Sequence, residues 1–195
     1  METASEAPAG IGFGRYLLLP HRRELLADGR PIKLGGRALD VLIALIEDGR
    51  PMLGVVHGPA IGVTYTAHGP GTAMRRRGSG EFAPIRARVP PPEGVVVIHS
   101  RSHENSRRLA EYFEGKPVLE RHVCGSALKF GVLAAGEADC YPRFGTTMEW
   151  DTCAGQAVLE AAGGHVFGLD GAPLRYGKTG LKNDGFLAWG AKPAW

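Results

Sequence analysis

YPRFGTTMEWDTCAGQAVLEAAGG, residues 141–164, decides the reading of this chain. One carboxylate, Asp151, stands directly before the small-residue run Thr152-Cys153-Ala154-Gly155. Helical spacing continues to Ala162, and Gly163-Gly164 supplies the stop. An acidic group at a helix start can hold a metal ion while the first-turn N–H groups face an anion. Taken alone, Asp151 also reads as a plain N-cap. The stretch therefore predicts an α/β arrangement with chemistry at a helix N-terminus, and the rest of the chain must supply that chemistry's other parts.

Composition sets the frame around it. A chain of 195 residues makes one domain or two small ones. A hydrophobic share of 44% and a charged share of 22% fit a soluble globular protein with a core of useful size. With 29 Gly and 14 Pro, turns are many and long helices few. A net charge of +3 neither demands nor excludes a polyanionic partner. Cys124, Cys140 and Cys153 lack CxxC spacing, which argues against a disulfide framework or zinc knuckle and fits a reducing cytoplasm. METASEAPAGIGFGR is not a signal peptide, and no apolar run approaches the ~20 residues that span a bilayer.

Along the chain, residues 1–11 are expected to be disordered. Residues 12–20 and 23–27 read as strands, Asp28-Gly29 as a turn and residues 31–34 as a third strand. Residues 37–45 carry apolar positions at helical spacing, yet 41–46 also read as a buried strand. Strands follow at 52–57 and 63–67. Residues 69–94 are Gly-, Pro- and Arg-rich, with weak strand character at 83–89, and Arg75-Arg76-Arg77 reads as a solvated loop. A strand at 95–99, helices at 106–114 and 125–135, a strand at 138–143, the helix at 152–162 and a strand at 166–168 complete the pattern.

The segments IALIEDGRPMLGVVHGPAIG (43–62), SRSHENSRRLAEY (100–112), GSALKFGVLAAGEADCYPRFG (125–145) and WDTCAGQAVLEAAGG (150–164) are collinear. Together they resemble the C-terminal half of the 3'(2'),5'-bisphosphate nucleotidase branch of the inositol monophosphatase superfamily. FGRYLLLPHRRELLADGRPIKLGGRALDVLIAL, within residues 12–45, resembles the opening of a response-regulator-type winged-helix DNA-binding domain. The two resemblances imply a fusion: a partial winged-helix segment at 12–42, the half-phosphatase at 43–190 and a tail at 191–195. The expected fold is α/β, the second half of a layered sugar-phosphatase fold behind a small β-rich remnant.

The phosphatase resemblance implies a Mg²⁺-dependent phosphomonoesterase of sulfate assimilation acting on 3'-phosphoadenosine 5'-phosphate. It places Asp151 as a metal and substrate ligand, and His103, Ser126, Lys129 and Arg143 as substrate contacts. Lys and Arg would offset phosphate charge and Ser would donate a hydrogen bond. Ser126 and Lys129 stand three residues apart, on one helix face. The same resemblance implies two or three metal ions held by further carboxylates, in an upstream Glu and an Asp-Pro-x-Asp-Gly-Thr turn. None of the seven aspartates stands in such a turn, and no two are spaced D-x-x-D. The expectation is thus a truncated chain, inactive alone, with no residue assigned as catalytic. Two alternatives stay open: a non-catalytic phosphonucleotide-binding fragment, or a remnant of a DNA-binding regulator. The absent recognition helix argues against sequence-specific DNA binding. Association through exposed sheet edges is a further expectation.

Overall fold

The computed structural model describes residues 11–13, 16–19, 24–32, 45–47, 49–100 and 103–191. The chain divides into two units, Met1–Asp40 and Val41–Trp195.

In the first unit, β1 (Ile11–Phe13), β2 (Tyr16–Leu19), β3 (Glu24–Ala27) and β4 (Arg30–Ile32) form an antiparallel sheet in sequence order. Between β3 and β4, Asp28 and Gly29 both take positive φ, 50° and 76°. This is the two-residue reversal whose twist matches a hairpin, and Asp-Gly is its favoured pair. The single strand expected over 12–20 is instead a hairpin, because Phe13 pairs with Tyr16 and leaves only two residues between them. The helix expected over 37–45 falls mostly on residues outside the described ones. Of the two readings of 41–46, a strand is found at its end.

The second unit opens with that strand. β5 (Leu45–Glu47), β6 (Arg50–Gly58), β7 (Val63–Ala67), β8 (Met74–Arg77) and β9 (Ala83–Pro84) form an antiparallel meander. Next come β10 (Val95–His99), α1 (His103–Tyr112), β11 (Val118–Val123), α2 (Leu128–Ala134) and β12 (Cys140–Arg143). A short ribbon strand β13 (Thr147–Met148) leads to α3 (Cys153–Ala161), then β14 (His165–Gly168), β15 (Lys182–Asn183) and β16 (Phe186–Trp189). The second sheet runs β11-β10-β12-β16-β14, and β13 pairs with β15.

The layers follow from which side chains alternate to which face. In β10, Val95 and Val97 join Leu109 of α1 and Phe113 just beyond it, while Val96 and Ile98 join the cluster around α2 and α3. A strand covered on both faces reads as an unbroken apolar run, and VVVI is one. Across the middle layer, Phe130 of α2 meets Tyr141 and Phe186 of the second sheet, with ring centroids 5.3 and 5.5 Å apart. Towards the first sheet, a Cβ on Gly54 would sit 2.2 Å from the Ala154 carbonyl oxygen. Sheet and helix are that close only because glycine stands there. The result is the mixed α/β layering expected: sheet, helix pair, sheet, helix.

Two elements differ from expectation. Arg75-Arg76-Arg77 lies in β8, not in a solvated loop. Glu137 receives Arg75 at 2.5 Å and Arg77 at 3.0 Å, and Arg76 lies over the Phe82 ring at 4.8 Å. Alternate arginines thus find partners on opposite faces of one strand. β11 was not foreseen: five of its six residues are exposed, and only its parallel pairing with β10 makes it a strand. Among the described residues no helix is long and apolar enough to cross a membrane.

Candidate functional site

The candidate residues gather around the end of β12. Strand alternation puts Tyr141 and Arg143 on one face, the face that α2 covers. Lys129 reaches that face from α2, its ammonium 4.6 Å from the Tyr141 ring centroid. It also donates to the Ser126 carbonyl at 2.7 Å and to the Cys124 carbonyl at 3.2 Å. Lys129 is only 1% exposed. Burial pushes its pKa down to about 8; Cys124 opposes the shift and the Arg143 charge adds to it.

Arg143 is half-buried, and its Nε is buried with no hydrogen-bond partner among the described residues. Such a donor is costly to leave unmade and suits an acceptor from outside the chain. Tyr141 is pushed up to about 12, chiefly by burial. A hydrogen bond with Ser100 and the nearby Arg143 charge work against that, while the Asp151 charge adds to it. One tyrosine therefore feels both the arginine of β12 and the aspartate that precedes α3.

Asp151 ends a 3₁₀ turn, Glu149–Asp151, and is exposed. Its carboxylate accepts the Met148 N–H at 2.8 Å, so it caps its own turn. α3 begins at Cys153, with Thr152 as N-cap and no side-chain capping bond. The plain N-cap reading of Asp151 is corrected accordingly. Next to it, Trp150 is 44% exposed. Ser126, also exposed, holds a left-handed φ of 54° just before α2. His103 opens α1, but its side chain lies outside the described ones. The structure thus brings Lys129, Arg143 and Asp151 round Tyr141, with Ser126 tied in through Lys129.

Sequence reasoning missed what anchors the Asp151 turn. Glu149 is buried, and its carboxylate accepts the Gly177 and Lys178 N–H groups at 2.8 and 3.1 Å and pairs with the Lys178 ammonium at 2.7 Å. Below the turn, the Tyr176 hydroxyl donates to Gln156 Oε1 at 2.8 Å and lies 3.1 Å from Thr152 Oγ1. Asn183 Nδ2 donates to the same Thr152 oxygen at 3.0 Å. These residues are far apart in sequence, and no local pattern marks them as a set. The cysteines do not fit a nucleophile: burial pushes Cys153 up to about 12 and Cys140 well above its ordinary value.

A magnesium cluster needs several oxygen ligands at once. Among the described residues, no group of three or more His, Cys, Asp or Glu side chains lies together. Glu149, two residues from Asp151, already spends its oxygens on the 177–178 loop. The donor set of the described residues does not fit such a cluster.

This geometry, two sheets enclosing helices with an acid at a turn before the central helix, has close counterparts. The family model described as "Inositol monophosphatase family" matches residues 37–191. The chain belongs to the inositol monophosphatase family. Within that family it is 42% identical over 148 residues to the 3'(2'),5'-bisphosphate nucleotidase CysQ of Shigella flexneri, across 75% of this chain and 58% of that protein. The CysQ of Buchnera aphidicola is 39% identical over 151 residues, covering 76% and 56%. Among solved structures, CysQ from Bacteroides thetaiotaomicron aligns at 30% identity with a TM-score of 0.66, covering 75% of this chain and 60% of that one. The chain therefore spans rather more than half the length of the family members it matches.

Proposed function

We propose that this chain is a 3'(2'),5'-bisphosphate nucleotidase-type module that binds a phosphonucleotide of the 3'-phosphoadenosine 5'-phosphate kind and does not hydrolyse it unaided. The observation that carries the reading is Arg143, whose buried Nε has no hydrogen-bond partner among the described residues. Guanidinium and phosphate match in charge and in hydrogen-bond geometry. The names of the CysQ relatives support the ligand class. In this reading His103, Ser126, Lys129, Arg143 and Asp151 form the ligand site. The three free thiols agree with a reducing, cytoplasmic setting.

The test is a phosphate-release assay on the purified chain with Mg²⁺ and 3'-phosphoadenosine 5'-phosphate. The expected result is turnover far below the usual enzyme range of roughly 1–10³ s⁻¹. Calorimetry should show weak binding that fades as salt rises, and Arg143→Ala should lower the affinity about tenfold, the worth of one charge-assisted hydrogen bond. Turnover within the enzyme range, abolished by Asp151→Asn, would overturn the inactive reading.

For residues 12–42 we infer the opening of a winged-helix segment joined to the phosphatase half. Its support is the four-stranded antiparallel sheet that stands in its own unit. Without a recognition helix nothing reads base edges. A gel-shift series should therefore find weak binding with no sequence preference. One sequence held ~10³-fold above competitor, the low end for specific binders, would refute this inference.

A further inference from the structure

Lys129 is the natural candidate for a direct phosphate contact, yet its surroundings turn the ammonium inward. An ammonium has three donors. The Ser126 carbonyl at 2.7 Å, the Cys124 carbonyl at 3.2 Å and the face of Tyr141 at 4.6 Å match that number. Ser126, one of the two residues gripped, has a φ of 54°. A residue with a Cβ adopts that conformation uncommonly, so contacts that hold it matter. At the other end of the loop, the Cys124 N–H donates to the His99 carbonyl at 3.0 Å. The loop between β11 and α2 is thereby fixed at both ends, one to the sheet and one to the lysine.

We propose that Lys129 is a positioning residue: its ammonium holds the Cys124–Ser126 loop so that the Ser126 hydroxyl is presented to the ligand, while Arg143 makes the phosphate contact. The proposal deepens the phosphonucleotide reading and rests on it only for the ligand. The lowered pKa of the ammonium agrees with a charge held inside for a purpose other than stability. Around it stand Cys124 from the loop and Tyr141 and Arg143 from β12.

The test begins on the ligand-free full chain, by NMR, with Lys129→Met. Methionine fills the volume and removes a buried charge, a replacement that cores tolerate. The expected result is exchange of the Cys124 amide accelerated at least about tenfold, and a Ser126 Cα shift that leaves the left-handed range. The Val97 and Tyr141 amides stay as protected as in the wild type. Calorimetry with adenosine 3',5'-bisphosphate over a salt series follows. A positioning role weakens binding but keeps the wild-type salt slope, whereas Arg143→Ala flattens it. A flattened slope in Lys129→Met with an unaltered loop overturns the proposal. If the wild-type chain binds no nucleotide, the phosphonucleotide reading fails, and the exchange measurement still decides the loop's support. Should the variant not fold, the wild-type ammonium decides. Slowly exchanging Nζ protons in the free protein, unshifted by nucleotide, are expected. Fast exchange that a nucleotide slows would sink the idea.

Discussion

Burying the Lys129 ammonium carries a desolvation cost that two carbonyls and a ring face offset only in part, which is why its pKa falls from 10.5 to about 8. Below pH 8 the folded and unfolded chains both keep this proton. Between about 8 and 10.5 the folded chain releases it first, so the unfolded chain binds more protons and stability gains with rising pH. Cys153 and Tyr141 act in the opposite sense above pH 9, because burial raises both to about 12 and the unfolded chain ionises first. The informative quantity is therefore a difference. Urea unfolding of the wild type minus Lys129→Met, from pH 7.5 to 10, should show the wild type gaining relative to the variant. A flat difference would mean that the lysine is solvated. At this scale the sequence was partly legible. The Trp-Asp motif and the YPR strand end marked Asp151 and Arg143. The i, i+3 spacing predicts Ser126 and Lys129 on one helix face, but Ser126 stands before α2 with a left-handed φ of 54°, and spacing does not say whether a lysine head turns outward to solvent or inward to a carbonyl. Glu149 and Tyr176 were illegible because their partners lie 20 to 30 residues away.

Elements were more legible where packing and local pattern agree. The VVVI run of β10 is apolar because both its faces are covered, and the α3 helix stops at Gly163, whose φ of 96° suits a residue just past a helix end. β8 and β11 were not legible, since arginines on one and exposed residues on the other hide the period of two. Their strand character comes from neighbours: β7 pairs with the arginine strand and β10 with the edge. Glycine sets the spacing between layers. A Cβ at Gly54 would meet backbone, the Ala154 carbonyl oxygen at 2.2 Å, which cannot rotate away. Gly54→Ala should therefore destabilise the fold by about 1–3 kcal/mol, the usual range for overpacking. Gly29→Ala changes a turn with nothing within 4 Å of the added atom, so its penalty comes from the positive φ alone, about 1 kcal/mol. Thermal melts of the two variants compare these causes directly. Equal shifts would mean that the β6–α3 contact yields more readily than its geometry implies.

For the whole molecule, β16 occupies an inner position in the second sheet. It pairs with β12 on one side, from Cys140–Trp189 to Arg143–Phe186, and with β14 on the other, from His165–Trp189 to Gly168–Phe186. Four residues thus stand between two strands that do not pair with each other. Replacing Ala188, which is fully buried, with Asp should cost well over the ~1 kcal/mol of an ordinary substitution. A soluble, cooperatively melting Ala188→Asp variant would contradict that. The strand order was not legible in advance, because FLAW carries the pattern of any short buried strand and nothing local says which neighbours it separates.

The position of β16 also has a temporal meaning. During synthesis β10, β11, β12, α3 and β14 leave the ribosome in turn, yet β12 and β14 each lack a shared neighbour until Trp189 emerges. Until β16 emerges the sheet is still divided, with two open strand edges exposed to other nascent chains and to chaperones. Yield of folded protein should then depend on how quickly the codons from β14 to β16 are translated.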